Sequence, residues 1–377
     1  MKILFLFPHF FLPGGAANVT VKFARGLQEK GHLVEILCAN ASPDFLAENS
    51  DLKISQLRIP NSNSFFYWAL LPYWQLKINK SLKKYEDYLF VPQVLPSNWW
   101  AWIYKLSNKD QKIIWYCNEP SAFIHSKKWI GAIKNPCIRI GAKIANPLLK
   151  YADTWLEKQN DFAICNSRFT ATEYERCYKR KANKIIYPPS LTKKFPIERD
   201  KENYIFTVSR LSKFKNVDLL IETFVTIGSV FPKYKLKIAG EGEEKENLKK
   251  LVVSKGIANK VELFGKISNG RLADLYAKAK VTVFCSENEP FGIVPVESMV
   301  YGTPVIAHNS GGPRETIRNN ETGLLFDNKS DLINCIKKII EMPPAQYLKM
   351  QEACQEKAAK YDMSNSISKL ETYLGKQ

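Results

Sequence analysis

The chain has 377 residues, of which 45% are hydrophobic and 24% are charged, a balance that excludes disordered and fibrous classes. Because one hydrophobic core stops growing near roughly 250 residues, this length indicates two domains. The formal net charge of +18 favours polyanionic partners such as nucleic acid, anionic lipid or phosphorylated small molecules.

The cysteines and the amino terminus bear on the cellular compartment. The eight cysteines lie far apart, and no two have the spacing of a CxxC motif or a zinc site. We therefore expect no metal site and a reducing, cytoplasmic compartment. The apolar run at residues 1–7 is expected to end at Pro8, too early for a signal-peptide core, and no stretch approaches the roughly 18 apolar residues of a membrane span.

The first elements predict a βαβ unit. Residues 1–7 form an apolar strand, residues 17–30 carry apolar side chains at helical spacing, and residues 34–38 resume as a strand. A loop with Gly14, Gly15 and Ala16 joins the first strand to the helix. This unit predicts a parallel sheet with a ligand site at the carboxyl end of its first strand.

The middle of the chain, residues 61–151, is aromatic and basic. Acidic residues are absent between Glu119 and Asp153, whereas that segment holds Lys127, Lys128, Lys134, Arg139, Lys143 and Lys150. Apolar residues are interleaved with these cations at Trp129, Ile133, Ile138, Ile140 and Leu148. The pattern is typical either of a solvated basic helix face over buried aromatics or of contact with an anionic membrane surface. Nucleic acid is not expected, because no nucleic-acid-binding motif accompanies the charge.

The second half predicts another α/β domain after an exposed linker at residues 187–200. Strand patterns at residues 204–209, 235–239, 261–264, 281–285 and 304–307 alternate with helical patterns such as 217–230 and 272–280. We therefore expect an α/β protein of two Rossmann-like, doubly wound domains that face each other across a cleft. Their predicted bounds are residues 1–190 and 191–360, followed by a helix within 361–377.

The most informative run is residues 286–297, directly after an apolar strand. A strand, a short loop and a helix that opens near Phe291 would present backbone N–H groups and the positive helix end to an anion such as a diphosphate. Glu289 precedes this helix and Glu297 lies more than one turn inside it, so the two carboxylates would serve different hydroxyl groups of one ligand. Simple capping and solvation of the helix is the alternative.

This run, together with residues 298–307 and 310–315, closely resembles the donor-site signature of glycosyltransferase family 4, whose members have the GT-B fold and retain anomeric configuration. Residues 163–169 and 186–189 resemble the end of that family's N-terminal domain. Residues 208–216 resemble its phosphate-binding segment, and Gly14-Gly15-Ala16 its N-terminal glycine loop.

The resemblance implies a role for each matching residue. Arg210 and Lys215 would grip the donor diphosphate, Glu289 would hold the transferred sugar, and Glu297 the ribose. The other implied donor contacts are Gly15, Ala16, Glu241, Phe291, Gly292 and Ile293. The resemblance also implies that neither a cofactor nor a metal ion is required. It further implies that the final helix crosses back onto the N-terminal domain, which binds the acceptor.

One departure concerns residues 116–120, where related sequences carry a histidine near the reacting sugar and this chain has Asn118. An amide can bind a sugar hydroxyl but cannot titrate near neutral pH. His125 either replaces that histidine or is an unrelated exposed residue.

The string at residues 116–120 also resembles mannosyltransferases of lipid-linked or cell-surface glycan assembly. We therefore expect GDP-mannose, and next a UDP-sugar, as donor. The acceptor would be a lipid-linked or cell-envelope glycan, reached by peripheral contact with the inner face of an anionic membrane. A non-catalytic basic protein on a degenerate transferase fold is the alternative, and a nicotinamide-dependent oxidoreductase is disfavoured because no GxGxxG follows the first strand.

Overall fold

A computed structural model describes residues 1–11, 14–60, 67–68, 70–126, 130–131, 135–190 and 195–376. The chain divides into two compact units. Unit 1 comprises Met1–Pro189 and Ser366–Gln377, and unit 2 comprises Ser190–Asn365. Each unit has its own parallel sheet with helices packed on it.

The strands described in unit 1 all pair in parallel. They are β1 (Lys2–Phe10), β2 (Leu33–Ala41), β3 (Lys53–Gln56), β4 (Leu89–Pro92), β5 (Ile114–Cys117), β6 (Phe162–Cys165) and β7 (Lys184–Ile185). The described helices are α1 (Gly15–Glu29), α2 (Pro43–Glu48), α3 (Leu71–Leu82), α4 (Ser97–Ser107), α5 (Ala122–His125), α6 (Pro136–Glu157) and α7 (Arg168–Tyr178). The strand orders are β3-β2-β1-β4 and β5-β6-β7, joined by a parallel bridge between Phe90 and Ile113.

Unit 2 contains a six-stranded parallel sheet. Its described strands are β8 (Glu202–Val208), β9 (Lys235–Ala239), β10 (Val261–Gly265), β11 (Ala279–Phe284), β12 (Val305–His308) and β13 (Gly323–Phe326). Its described helices are α8 (Val217–Val230), α9 (Lys245–Ser254), α10 (Asn269–Lys278), α11 (Ile293–Val300), α12 (Pro313–Thr316), α13 (Lys329–Ile340) and α14 (Pro344–Ala359).

The sheet of unit 2 has the order β10-β9-β8-β11-β12-β13. The order therefore reverses between β8 and β11, and ligands of open parallel sheets bind beyond the strand ends at such a switch point. The prediction of two doubly wound α/β domains with parallel sheets is confirmed.

The first strand departs from its predicted bounds. It continues through Pro8 to Phe10, although Pro8 was expected to end it. Pairing of β1 with β4 stops at Leu6, so beyond that residue β1 has only β2 as a paired neighbour. Proline has no N–H to donate, and it is tolerated in a strand where one side is unpaired. Gly15 and Ala16 lie in the first turn of α1, with Gly14 as its N-cap, rather than in a loop.

The last helix, α15 (Met363–Leu374), belongs to unit 1 from Ser366 onward. Ile367 packs against Gly26 of α1 so closely that a Cβ on Gly26 would lie 2.0 Å from the Ile367 Cδ1 atom. Nearer the carboxyl end, Glu371 accepts hydrogen bonds from Lys30 Nζ at 2.7 Å and is 3.0 Å from His32 Nε2.

A buried carboxylate joins α6 to the aromatic helix α4. Asp153 is fully buried, and one of its oxygens accepts from Trp99 Nε1 at 2.6 Å and from Ser121 Oγ at 2.9 Å. The other oxygen accepts from the Tyr178 hydroxyl at 2.8 Å and lies 2.8 Å from His125 Nε2. Because a buried charge is tolerated only with such partners, this network fixes the face of α6 that turns inward.

The ion pair of His125 and Asp153 should make the stability of unit 1 depend on pH. Burial lowers the pKa of His125, but the contacts with Asp153 and Cys177 raise it, to about 9 overall. A histidine in the unfolded chain has a pKa of about 6.5, so the stabilisation is complete below that value and lost as the pH rises through about 9. We expect the free energy of unfolding to fall by roughly 2 kcal/mol across this window, and His125→Gln to remove that fall.

Urea unfolding followed by tryptophan fluorescence measures this effect selectively, since all eight tryptophans lie in unit 1. His308→Gln, in unit 2, is the matched control and should leave the pH profile unchanged. Equal profiles for wild type and His125→Gln would show that the ion pair does not contribute.

Candidate active site

Two loops of unit 2 leave the sheet side by side at the switch point. Residues 209–216 follow β8 and residues 285–292 follow β11, and these strands pair in parallel through Ile205 and Val281. The carboxyl ends of neighbouring parallel strands lie at one edge of the sheet, so the segments that carry most of the predicted donor residues are brought together there.

An ion pair joins the two loops. Lys215 Nζ lies 2.6 Å from Glu289 Oε2, and both side chains are about three-quarters buried, with exposed fractions of 22% and 25%. Ser286 Oγ donates to the same carboxylate oxygen at 2.8 Å, and the Lys215 ammonium lies 5.9 Å from the centre of the Phe284 ring. The structure therefore places the predicted diphosphate ligand Lys215 directly against the predicted sugar ligand Glu289.

Asn216 connects the same loops on their outer side. Its backbone is left-handed, with a φ of 49°, a conformation that asparagine adopts more readily than most residues. Its Nδ2 donates to the Cys285 carbonyl at 3.3 Å and to Glu287 Oε1 at 3.4 Å. The sequence pattern did not predict a role for Asn216 or Ser286, although an asparagine directly after Lys215 was a signal for such a turn.

A glycine-containing loop supports Glu289 from the β12 side. The Gly312 N–H donates to the Glu289 carbonyl at 2.7 Å, and the Asn288 N–H donates to Ser310 Oγ at 2.8 Å. A Cβ on Gly312 would lie 2.4 Å from the Phe291 Cα atom, so only glycine permits this approach. The backbone that carries Glu289 is thus held from two sides.

The helix after this loop, α11, begins later than expected. Gly292 is its N-cap with a φ of 85°, and the helix starts at Ile293 instead of near Phe291. Phe291 is buried against Tyr361, with ring centres 5.3 Å apart. Within the described chain, the first turn of α11 has neither an acidic side chain nor a side-chain cap, so its backbone N–H groups suit an anion.

Arg210 and Glu241 lie on neighbouring loops but have other partners. Arg210 Nη2 is 3.3 Å from Glu243 Oε2, and about half of each side chain is exposed. Glu241 pairs with Lys245 at 2.7 Å, while its carbonyl accepts from the Leu211 N–H at 2.9 Å. Exposed pairs of this kind are weak, so Arg210 can exchange its carboxylate for a phosphate at little cost.

Glu297 occupies a different zone, inside α11. Its Oε2 accepts from the Tyr276 hydroxyl at 3.2 Å. Burial and the adjacent Glu297 carboxylate raise the pKa of Tyr276 well above its usual range, so the phenol stays a hydrogen-bond donor. Glu289 and Glu297 thus have different partners, Lys215 and Tyr276 respectively.

In unit 1, Asn118 directly follows β5 and is buried. Its Nδ2 donates to Gln93 Oε1 at 3.1 Å, and its carbonyl accepts from Asn166 Nδ2 at 2.8 Å. The expectation that His125 could be exposed is wrong, because its side chain is only 8% exposed and pairs with the buried Asp153. Gly15 is exposed and Ala16 half-buried at the start of α1.

Lys127, Lys128, Trp129, Ile133 and Lys134 lie outside the described residues. Within the part that the structure describes, no helix is long and apolar enough to cross a bilayer. The same residues include no group of three or more histidine, cysteine, aspartate or glutamate side chains that could hold a metal ion.

Comparison with known families defines the class of protein. Residues 13–189 match the model of Glycosyltransferase Family 4, and residues 191–361 match the model of Glycosyl transferases group 1. Together these two matches span most of both units, which makes the chain a glycosyltransferase. It is a family-4-like member of that class, as its donor-loop residues predicted.

Individual relatives and solved structures agree with this assignment. The alpha-1,3/1,6-mannosyltransferase ALG2 of Rhizomucor pusillus is 26% identical over 88% of this chain and 82% of its own length. The protein of the same name from Yarrowia lipolytica is 24% identical over 98% of this chain and 91% of its own length. The structure of Anabaena Alr3699/HepE in complex with UDP and glucose has a TM-score of 0.79 at 18% identity, covering 100% of both chains. Such GT-B glycosyltransferases share the fold of this chain.

The close approach of Gly312 to Phe291 yields a test of the donor loop. Alanine at Gly312 would force its Cβ against backbone that cannot move without displacing Glu289. We expect Gly312→Ala to lower the free energy of unfolding of unit 2 by roughly 1–3 kcal/mol and to weaken nucleotide binding at least about tenfold.

Gly270→Ala is the matched control, because a Cβ at Gly270 of α10 meets nothing within 4 Å. Isothermal titration of both variants with GDP and UDP gives the comparison. Unchanged nucleotide affinity in Gly312→Ala would separate this loop from the donor site.

Proposed function

We propose that this enzyme transfers a sugar from a nucleoside-diphosphate sugar, bound by unit 2, to a glycan or lipid-linked acceptor bound by unit 1. The observation that carries the proposal is the Lys215–Glu289 pair at the ends of β8 and β11, which sets a cation beside a sugar-hydroxyl acceptor. A donor with an anionic diphosphate next to a polyhydroxyl ring needs that combination of groups.

The diphosphate would bind Arg210, Lys215 and the backbone amides at the start of α11, from Phe291, Gly292 and Ile293. As the bond between the anomeric carbon and the phosphate oxygen breaks, negative charge grows on the leaving diphosphate. Fixed cations stabilise that charge, so we propose a reaction that requires neither a metal ion nor another cofactor.

The sugar and nucleoside would be held by carboxylates and amides. Glu289 accepts hydrogen bonds from the transferred sugar, Glu297 from the ribose, and Glu241 flanks the nucleotide. Asn118 binds a sugar hydroxyl without changing charge, and Gly15 and Ala16 approach the donor through their backbone.

We propose retention of anomeric configuration through an oxocarbenium-like transition state. The acceptor hydroxyl oxygen bonds to the anomeric carbon on the face that the phosphate leaves, and its proton passes to the departing phosphate oxygen. The departing phosphate oxygen thus takes both the electrons of the broken bond and the acceptor proton, so no protein base is needed. An asparagine at position 118, which cannot accept a proton near neutral pH, is compatible with this mechanism.

GDP-mannose is the proposed donor and UDP-sugars are the next candidates. The names of the Rhizomucor and Yarrowia relatives support a mannosyl group, whereas the UDP and glucose bound to the Anabaena neighbour support the second choice. The proposed acceptor is a lipid-linked or cell-envelope glycan, met by peripheral contact with the inner face of an anionic membrane. The net charge of +18 supports that contact.

Nucleotide binding tests the donor site. A ligand present at a hundredfold excess over its Kd and bound only to the folded state stabilises it by about 2.7 kcal/mol. We expect GDP or UDP to raise the Tm of the wild type by roughly 5–10 °C in differential scanning calorimetry. Arg210→Ala should abolish most of that shift.

The control for Arg210 is Arg271→Ala, which removes an arginine of similar exposure that is paired with Asp274. This variant should keep the full shift. If neither nucleotide nor any nucleotide sugar stabilises the wild type, the donor site proposed here does not exist.

Chelation tests the proposed independence from metal ions. We expect sugar transfer to a short-chain lipid-linked acceptor to keep its rate within about twofold in excess EDTA, because Arg210 and Lys215 supply the positive charge. A complete loss of activity that Mg²⁺ or Mn²⁺ restores would contradict this part of the mechanism.

A further inference from the structure

The helix α6 of unit 1 presents a row of large apolar side chains to solvent. Their exposed fractions lie between 45% and 76%, and the residues are Ile140, Ile144, Leu148, Tyr151 and Trp155. At 100° per residue they fall within an arc of about 80°, so they form one continuous stripe along the helix. We call these five residues the α6 stripe. Apolar stripes of surface helices normally face the core.

The stripe cannot turn inward, because the opposite face of α6 is held by buried polar contacts. Asp153 is fixed by its four hydrogen-bonding partners, and Glu157, also buried, contacts the Tyr174 hydroxyl and lies 3.3 Å from Arg180. Rotating α6 would strip both carboxylates of their partners, which is far costlier than leaving apolar side chains exposed.

The exposed charges that α6 itself contributes are all positive. Both acidic residues of α6 are buried, whereas its cations Arg139, Lys143 and Lys150 are at least partly exposed. No aspartate or glutamate occurs in the sequence from Pro120 to Ala152. An apolar stripe on a helix whose exposed charges are all positive complements a surface with an apolar interior and an anionic rim.

A second helix, α3, also has exposed apolar side chains and lies in a segment without acidic residues. In α3, Tyr73 and Leu76 are 61% and 70% exposed, and residues 52–85 contain no acid. Gln75 of α3 donates to the Trp100 carbonyl of α4 at 3.2 Å, and Trp99 of the same helix donates to Asp153 of α6. Both helices therefore pack against the same helix, α4.

We propose that α6 lies flat in the interface of an anionic bilayer, with the α6 stripe inserted among the acyl chains and Arg139, Lys143 and Lys150 at the phosphates. Ile140, Ile144 and Leu148 supply the apolar contact, and Tyr151 and Trp155 suit the headgroup boundary. The role of this surface rests on the proposed function, since it would bring the enzyme to a membrane-borne acceptor. A second copy of the chain is disfavoured, because two such helices would bring their cations together.

Co-sedimentation with sucrose-loaded vesicles tests the insertion. We expect the wild type to bind vesicles of equal parts phosphatidylglycerol and phosphatidylcholine more strongly than pure phosphatidylcholine, and to bind less as salt rises. Ile144→Glu should lower the partition coefficient at least about tenfold, because it places a charge among acyl chains and anionic headgroups. Lys143→Gln with Lys150→Gln should retain part of the binding with a weaker salt dependence.

Val253→Glu is the matched control, since Val253 of α9 in unit 2 is 69% exposed and Ile144 is 76% exposed. This variant should bind vesicles like the wild type. The unfolding of both glutamate variants should match that of the wild type when it is followed by far-UV circular dichroism, since the tryptophans report unit 1 alone. Equal vesicle binding by Ile144→Glu and wild type, or no binding by wild type, overturns the proposal. A wild-type dimer that Ile144→Glu dissociates in sedimentation velocity overturns it as well, because a second copy would then cover the stripe.

The same variants separate this inference from the donor site. Ile144→Glu should keep the full nucleotide-induced Tm shift and the transfer rate to a short-chain acceptor in solution. Vesicle binding that depends on Ile144 without any nucleotide response would disprove the proposed function alone. A normal nucleotide response with vesicle binding indifferent to Ile144 would disprove the membrane surface alone.

Discussion

The ion pair between Lys215 and Glu289 is the contact on which the candidate donor site depends. It crosses between the loops that follow β8 and β11, where the strand order of unit 2 reverses. Ser286 and the Gly312 N–H hold Glu289 from other directions. Because both charged groups are mostly withdrawn from water, each needs a partner at all times, and a donor diphosphate near Lys215 would supply one. The site is thus organised before its ligand arrives.

Arg210 differs from this buried pair because it is exposed to solvent. Its side chain is 59% exposed, and its contact with Glu243 is one that water and salt readily replace. In the proposed donor site, the exposed Arg210 guanidinium would move with the charge that develops on the leaving diphosphate, whereas the more buried Lys215 would hold a fixed position beside it. Two cations of the same loop, residues 209–216, thus differ in burial although one ligand is proposed for both.

Local patterns in the sequence predicted many of the regular elements. The helix Val217–Val230 and the strand Lys235–Ala239 have the predicted bounds, because their apolar spacing is regular and their ends are marked. Contacts between segments distant in sequence were not predictable in the same way. Such contacts depend on which strand or loop lies alongside. Examples are the pairing of His125 with Asp153, the pairing of Arg210 with Glu243, the support of Glu289 by Gly312 and the continuation of β1 through Pro8. The donor residues were named because they cluster in short runs, whereas their supporting residues lie on other loops.

The orientation of α6 shows how a local pattern can indicate the wrong face. Apolar side chains at helical spacing ordinarily predict the buried side, and the pattern at Ile140, Ile144 and Leu148 would place that side inward. Trp99, Ser121, His125 and Tyr178 instead supply donors to Asp153, and Tyr174 and Arg180 contact Glu157. Since unpaired carboxylates cost more to bury than apolar groups cost to expose, these donors turn the acidic side of α6 inward and the apolar side outward. The buried polar network of unit 1 therefore determines which surface the protein offers to its surroundings.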